Sequence, residues 1–357
     1  MGQWRDFDWY LLGLVLLVCL LGVVEIYTST HGTRLAGASL RQLAYIVMAL
    51  GVMFLLSRIS YHRWLAVSHW LYGACLLALV GVLAVGQSIF HSRRWIPILG
   101  VHLQVSEFAK LVIIVVVARY CSELRRVTWL DIVRLGTLVG LPMVLVALEP
   151  DLGTALTYAP IAAVGLFLGG LSWRQGVALL LLAMLVLPLG WHELKPYQKA
   201  RLENFMNPST DPLGRGYQLL QSKIAVGSGG FWGQGQGRGT QVQGAFLPVS
   251  QADFIAAAFA EERGLVGVAV LLGLYFLILM RLLADARTAP DRAGTLLVVG
   301  VAVLLAFHIL VNLGMVVGFM PVTGIPLPFM SSGGSSLLFL FAALGVVMNV
   351  HMRRLVN

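Results

Sequence analysis

Asp253 is the residue whose type and setting best suit chemistry. It ends a long polar stretch and opens a hydrophobic run, Ala252-Asp253-Phe254-Ile255. Partial desolvation at such a boundary raises a carboxylate's affinity for a proton, as a general base requires. The plainer reading is a helix N-cap. Glu261 follows about two helical turns later, roughly on the same face, and Glu262 adjoins Arg263 as a candidate pair. Glu107 and Lys110, in Ser106-Glu107-Phe108-Ala109-Lys110, share a helical face at i and i+3. Charges inside an apolar segment are expensive, so these two either pair with each other or contact a substrate. Arg93-Arg94-Trp95 offers two guanidiniums suited to phosphate oxygens and an indole suited to a headgroup layer, or simple attraction to anionic lipid. Arg215 is a further cation of this kind.

Four more segments carry candidate polar groups. Glu149-Pro150-Asp151-Leu152-Gly153-Thr154 sets two carboxylates around a proline, where Asp151 or Thr154 can cap a helix and the carboxylates can bind a cation. Gly227–Gly230 and Gly233–Gly239 can cradle phosphates with backbone N–H groups or form a tight loop; they match neither common phosphate fingerprint. Ser331 and Ser332 close a proline-stiffened loop, Pro321–Phe329, and offer hydroxyls to a cavity or form a re-entrant turn.

The elements that must position these groups are membrane helices. Of 357 residues, 58% are hydrophobic and 11% charged, with a mean hydropathy of +0.84. A soluble domain has about 25% charged residues, so the pattern is that of an all-α polytopic membrane protein. Ten apolar stretches fall near 10–27, 42–56, 65–85, 105–121, 135–148, 152–168, 175–191, 253–283, 294–317 and 335–351. They form a single domain, 1–357, with one long loop, 192–252, between the seventh and eighth. Thirteen arginines against four, counted over short loops, favour both termini in the cytoplasm. The long loop, 91–104, 149–151 and 318–334 then converge on the outer face. The net charge of +9 is scattered between apolar spans and forms no patch, which argues against nucleic-acid binding. The cysteines, Cys19, Cys75 and Cys121, lie in or at the end of apolar runs and show neither disulfide nor metal spacing. An outward polar cavity with a base and phosphate-binding arginines suits an enzyme acting on a lipid-linked substrate. It equally suits a transporter.

Along essentially its whole length the chain resembles the SEDS family (shape, elongation, division and sporulation). The resemblance is carried by Arg94-Trp95, Ser106–Lys110, Glu149–Ala155, Gly214–Gly239, Asp253–Gly267 and Gly318–Ser332. Asp6–Trp9 and Gly239–Gln241 look more like the elongation branch than the division branch. The resemblance implies a peptidoglycan glycosyltransferase of the bacterial cytoplasmic membrane that polymerises lipid II outside; the alternative is a lipid II flippase. It aligns Asp253 with the family's essential loop aspartate, Glu107 and Lys110 with its paired charges, and Glu149–Thr154 with its E-P-D-L-G-T motif. Substrate contacts are then expected from Arg93, Arg94, Trp95, Glu107, Lys110, Asp151, Thr154, Arg215, Glu261, Ser331 and Ser332. A divalent cation (Mg or Mn) held by Asp151 or Glu149 is an alternative counter-charge for pyrophosphate. The implied partners are a class B penicillin-binding protein and the elongation machinery. One departure stands out. The family commonly reads P-E-x-H-T-D-F-I, whereas this chain reads Pro248-Val249-Ser250-Gln251-Ala252-Asp253-Phe254-Ile255, so the aspartate keeps its place while its Glu, His and Thr neighbours are replaced.

Overall fold

The computed structural model describes residues 6–354 except 32, 34, 86, 90, 91, 99, 100, 194, 195, 207–214, 245 and 248. The side chains of 85, 87–89, 92–94, 96–98, 101, 102, 187, 189–193, 196, 197 and 215 also lie outside the description. The chain runs through α1 (Trp9–Thr30), α2 (Ala38–Arg58), α3 (Tyr61–Ala66) and α4 (Ser68–Val85), then β1 (Gln87–Ile89), β2 (Ser92–Ile98) and β3 (Val101–Gln104). It continues through α5 (Val105–Ser122), α6 (Trp129–Leu148), α7 (Leu152–Leu156), α8 (Tyr158–Gly169) and α9 (Trp173–Glu193). Then come α10 (Pro196–Met206), α11 (Arg215–Gly229), α12 (Thr240–Gln243), α13 (Ile255–Arg287), α14 (Arg292–Val317) and α15 (Gly334–Met352).

Each of the ten apolar stretches falls mainly on helix. Among the described residues, seven helical segments are long and apolar enough to cross a membrane by length and composition: α1, α2, α6, the α7–α8 stretch, α13, α14 and α15. Apolar parts of α4 and α9 are shorter. α5 carries Glu107, Lys110 and Arg119 within its 18 residues, which lowers its hydropathy. α6 starts at Trp129, earlier than the hydropathy pattern suggests. A capping box fixes that start: Thr128 accepts from the Asp131 N–H while Asp131 accepts from the Thr128 N–H.

Two expectations are corrected. The chain is not purely helical, because β1, β2 and β3 form an antiparallel sheet in the order β1-β2-β3. β2 and β3 pair from Trp95↔Gln104 to Ile98↔Val101. β1 pairs only with 92–95 of β2, so Pro97 falls beyond it, where a missing N–H is tolerated. The stretch 192–252 is not simply a loop either, since it holds α10, α11 and α12. Their low apolar content hid them from a hydropathy reading.

α15 is the central post, with 89% of its apolar window buried. It meets α2 backbone to backbone: a Cβ on Gly345 would lie 2.7 Å from the Met53 carbonyl oxygen. Buried Asn349 pins the far end. Its Nδ2 donates to Ser57 O (2.7 Å), and its Oδ1 accepts from Tyr61 N (2.8 Å).

Candidate active site

Asp253 lies in the turn of residues 251–254 that precedes α13 and is half-buried. The helix N-cap position falls on Phe254, one residue after Asp253, with no side-chain cap bond. Three successive carbonyls of this turn are clamped from outside. Ser332 N donates to Gln251 O (2.9 Å), Ser331 Oγ to Ala252 O (2.8 Å) and Asn312 Nδ2 to Asp253 O (3.0 Å). Asn312, fully buried on α14, also donates to Ile325 O (2.9 Å), and Ser331 Oγ accepts from Leu327 N (2.8 Å). The proline-stiffened loop is thus tied to the aspartate's turn, and Gly324 lies beside the carboxylate: a Cβ there would be 3.7 Å from Asp253 Oδ2.

Ser331, expected as a substrate contact, uses its hydroxyl as a buried clip between Leu327 N and Ala252 O. Ser332 enters the clamp through its backbone N–H. Asn312, which does the central pinning, escaped the sequence reading because one amide in an apolar span carries no pattern signal.

The motif around Asp151 abuts the same loop. Asp151 caps α7, accepting from Thr154 N (3.1 Å) and Thr154 Oγ1 (2.9 Å). Gln104 Nε2 donates to its second oxygen (2.8 Å), and Gln104 N donates to Ser335 Oγ (3.0 Å), joining β3, α7 and α15. Gly153 needs its missing side chain, since a Cβ there would lie 2.4 Å from Thr323 O. Asp151 and Thr154 thereby form a buried joint that supports the loop next to Asp253. Among the described residues, the group of three side chains that could hold a metal is Asp8, Asp285 and His351, at the other end of α13. Arg281 already salt-bridges Asp8 there (2.6 Å).

Glu107 and Lys110 do pair, with Nζ 2.6 Å from Oε1 and both side chains buried. Lys110 also reaches His308 Nε2 on α14 (3.3 Å) and stands 5.2 Å from the centroid of the Phe339 ring. His308 is a member of this cluster that the sequence reading missed. A lone histidine in an apolar run has no partner visible until α5 and α14 are side by side.

Glu261 is fully buried and acts as an anchor. It accepts from Gln241 N (2.8 Å), Val242 N (3.2 Å), Thr240 Oγ1 (3.2 Å) and Ser228 Oγ (3.4 Å), which fixes α12 and the glycine-rich segment. Glu262 Oε1 accepts from Gly237 N (3.0 Å), and Gln234 N and Gly235 N donate to the backbone carbonyls of Glu261 (2.9 Å) and Glu262 (3.1 Å). The amides of Gln234, Gly235 and Gly237 are therefore spent on the protein. Arg263 binds Gln236 Oε1 (3.3 Å) rather than Glu262.

Trp95 is half-buried, opposite Gln104 in the sheet. Arg93 and Arg94 have backbone positions in β2, and Arg215 opens α11, but their side chains lie outside the described residues. Another cation, Arg201 of α10, lines a small cleft with Asn204, Phe205, Leu219 and Val322, next in sequence to Thr323.

Residues 8–355 match the family model described as cell cycle protein, which joins FtsW, RodA and SpoVE. The chain belongs to the SEDS family. A SEDS relative in Escherichia coli (strain K12), the peptidoglycan glycosyltransferase MrdB, is 39% identical over 350 residues, covering 96% of this chain and 92% of that protein. The peptidoglycan glycosyltransferase RodA of Treponema pallidum is 32% identical, with 98% of both chains covered. Among solved structures, the SEDS-like chain of a peptidoglycan synthase complex that coordinates polymerization and crosslinking superposes with a TM-score of 0.86 at 37% identity, covering 98% of this chain and 99% of that one. RodA of Thermus thermophilus superposes with a TM-score of 0.74 at 32% identity, covering 98% of each. With its long apolar helices, this SEDS chain is an integral membrane protein.

Proposed function

We propose that this chain is a peptidoglycan glycosyltransferase that polymerises lipid II outside the bacterial cytoplasmic membrane during cell elongation. The observation that carries the reading is the clamped turn of Asp253: three fixed carbonyls hold one half-buried carboxylate at the start of a membrane helix. Full-length similarity to peptidoglycan glycosyltransferases supplies the reaction class.

In this mechanism the Asp253 carboxylate takes the proton from the 4-hydroxyl of the acceptor GlcNAc. The freed oxygen attacks C1 of the donor MurNAc from the face opposite the leaving group. The C1–O bond breaks, its electron pair departs with undecaprenyl pyrophosphate, and the α-linked donor becomes a β-1,4 link. The leaving group needs positive charge. Arg93, Arg94 and Arg215 are candidates to supply it, and Arg201 joins them from its cleft. Lys110 is already neutralised by Glu107, so its part is to hold α5 and α14 in place. The ten helical stretches span the membrane with both termini in the cytoplasm, and 192–252 lies outside. A class B penicillin-binding protein supplies crosslinking, in keeping with the solved synthase complex that resembles this chain.

The test is polymerisation of labelled lipid II by the purified protein with its penicillin-binding partner, wild type beside Asp253→Asn. Loss of a placed base should slow polymerisation by about 10²–10⁴-fold. Equal polymer from both would remove Asp253 from catalysis. No polymer from either, with lipid II crossing vesicles, would make the protein a flippase.

A further inference from the structure

The glycine-rich segment carries two aromatic residues that its structural role does not use. Phe231 and Trp232 follow α11 and are 56% and 77% exposed, one ring edge-on to the other. Their backbone is fixed to α13 at one place. Leu265 N donates to Gly230 O (2.9 Å), and Val266 N donates to Phe231 O (3.2 Å).

That place is where α13 changes character. From Ile255 to Glu262 its side chains are buried in protein. Gly264 then breaks the helical geometry at φ 64°, and from Leu265 onward the helix shows a broad apolar face, with Leu265, Val270 and Phe276 each more than half exposed. In an integral membrane protein that face is covered by lipid. Phe231 and Trp232 adjoin its first residues through the bonds at Leu265 and Val266, and the residues after them turn polar, with Gln234, Gln236 and Arg238. An apolar edge that ends in an indole and then a polar rim suits the headgroup–acyl boundary of a bilayer, where tryptophan's amphipathic ring is favoured.

We propose that Phe231 and Trp232 insert into the outer-leaflet interface and anchor the glycine-rich segment to the membrane. The occupant of this surface is lipid, because the patch is continuous with the lipid-facing stripe of α13. The anchor sets the height of α12 and of the Glu261 junction above the bilayer. It does so independently of the catalytic assignment of Asp253.

The test is nitroxide depth measurement at Trp232→Cys in the full-length protein, alone in phosphatidylethanolamine–phosphatidylglycerol vesicles. The native thiols Cys19, Cys75 and Cys121 are buried, so the unsubstituted protein serves as the labelling blank. Oxygen should relax the label at 232 more strongly than a water-soluble nickel chelate does. At Gln236→Cys the order should reverse. If Trp232→Cys fails to fold, Phe231→Cys is read in its place. Stronger relaxation by nickel at 232 would mean that the pair stands in water. Protection from both reagents would mean that protein covers it. Either result overturns the anchor.

Discussion

Lys110 is a buried ammonium with one partner that neutralises it and one that only accepts a hydrogen bond. The two substitutions that remove these partners should therefore differ. Glu107→Leu leaves an uncompensated buried charge, which costs about 3–5 kcal/mol. His308→Phe removes one hydrogen bond to a charged donor, worth about 1.5–3 kcal/mol. Thermal unfolding in a fixed detergent should rank Glu107→Leu well below His308→Phe, and the reverse order would refute this division of roles. Under the proposed mechanism Asn312 works on the reaction by position alone, through its bonds to Asp253 O and Ile325 O. Asn312→Leu frees the Asp253 carbonyl and the Ile325 carbonyl together, and a shift of about 1 Å at a reacting group can cost about 10²-fold. Lipid II polymerisation should lose turnover with little change in half-saturating substrate. A rise in half-saturation alone would assign Asn312 to binding.

Among the elements, the junction between the glycine-rich segment and the break in α13 is the least tolerant of change. Gly264 combines a positive φ with contact so close that a Cβ would lie 2.3 Å from Gly233 N. Gly264→Val should open the junction, at a cost of at least about 1–3 kcal/mol from backbone strain alone. Limited proteolysis should then cut between Gly229 and Gly244 well before the wild type is cut there. Unchanged protection would mean that the segment is held elsewhere. By contrast α3, a short helix between α2 and α4, is tied to the chain's far end by the Tyr61–Asn349 bond.

At the scale of the whole molecule, the proposed topology sets Phe319 outside and Trp173 inside. Both are exposed, at 82% and 75%, and the native cysteines are buried. A membrane-impermeant maleimide applied to intact spheroplasts should label Phe319→Cys and spare Trp173→Cys until the cells are opened. The opposite pattern would invert the topology and move Asp253 to the cytoplasm.

Hydropathy is a local sum, and so the sequence by itself determined the helical, membrane-embedded character of this protein and most of its spans. The type and i, i+3 spacing of Glu107 and Lys110 likewise announced their pairing, since helix geometry alone brings them together. Asp253 was legible because a carboxylate at the edge of an apolar run is conspicuous without any fold. The roles of Glu261, Asp151 and Ser331 were not, because a polar residue that binds substrate and one that binds a distant backbone group look alike in sequence. Only the tertiary structure decided which protein groups they bind, by bringing α12, α7 and the loop before α15 against them. His308 and Asn312 entered the site for the same reason: Lys110 reaches His308 from another helix and Asn312 holds the Asp253 turn, 198 and 59 residues away in sequence, and no local pattern encodes such a neighbour.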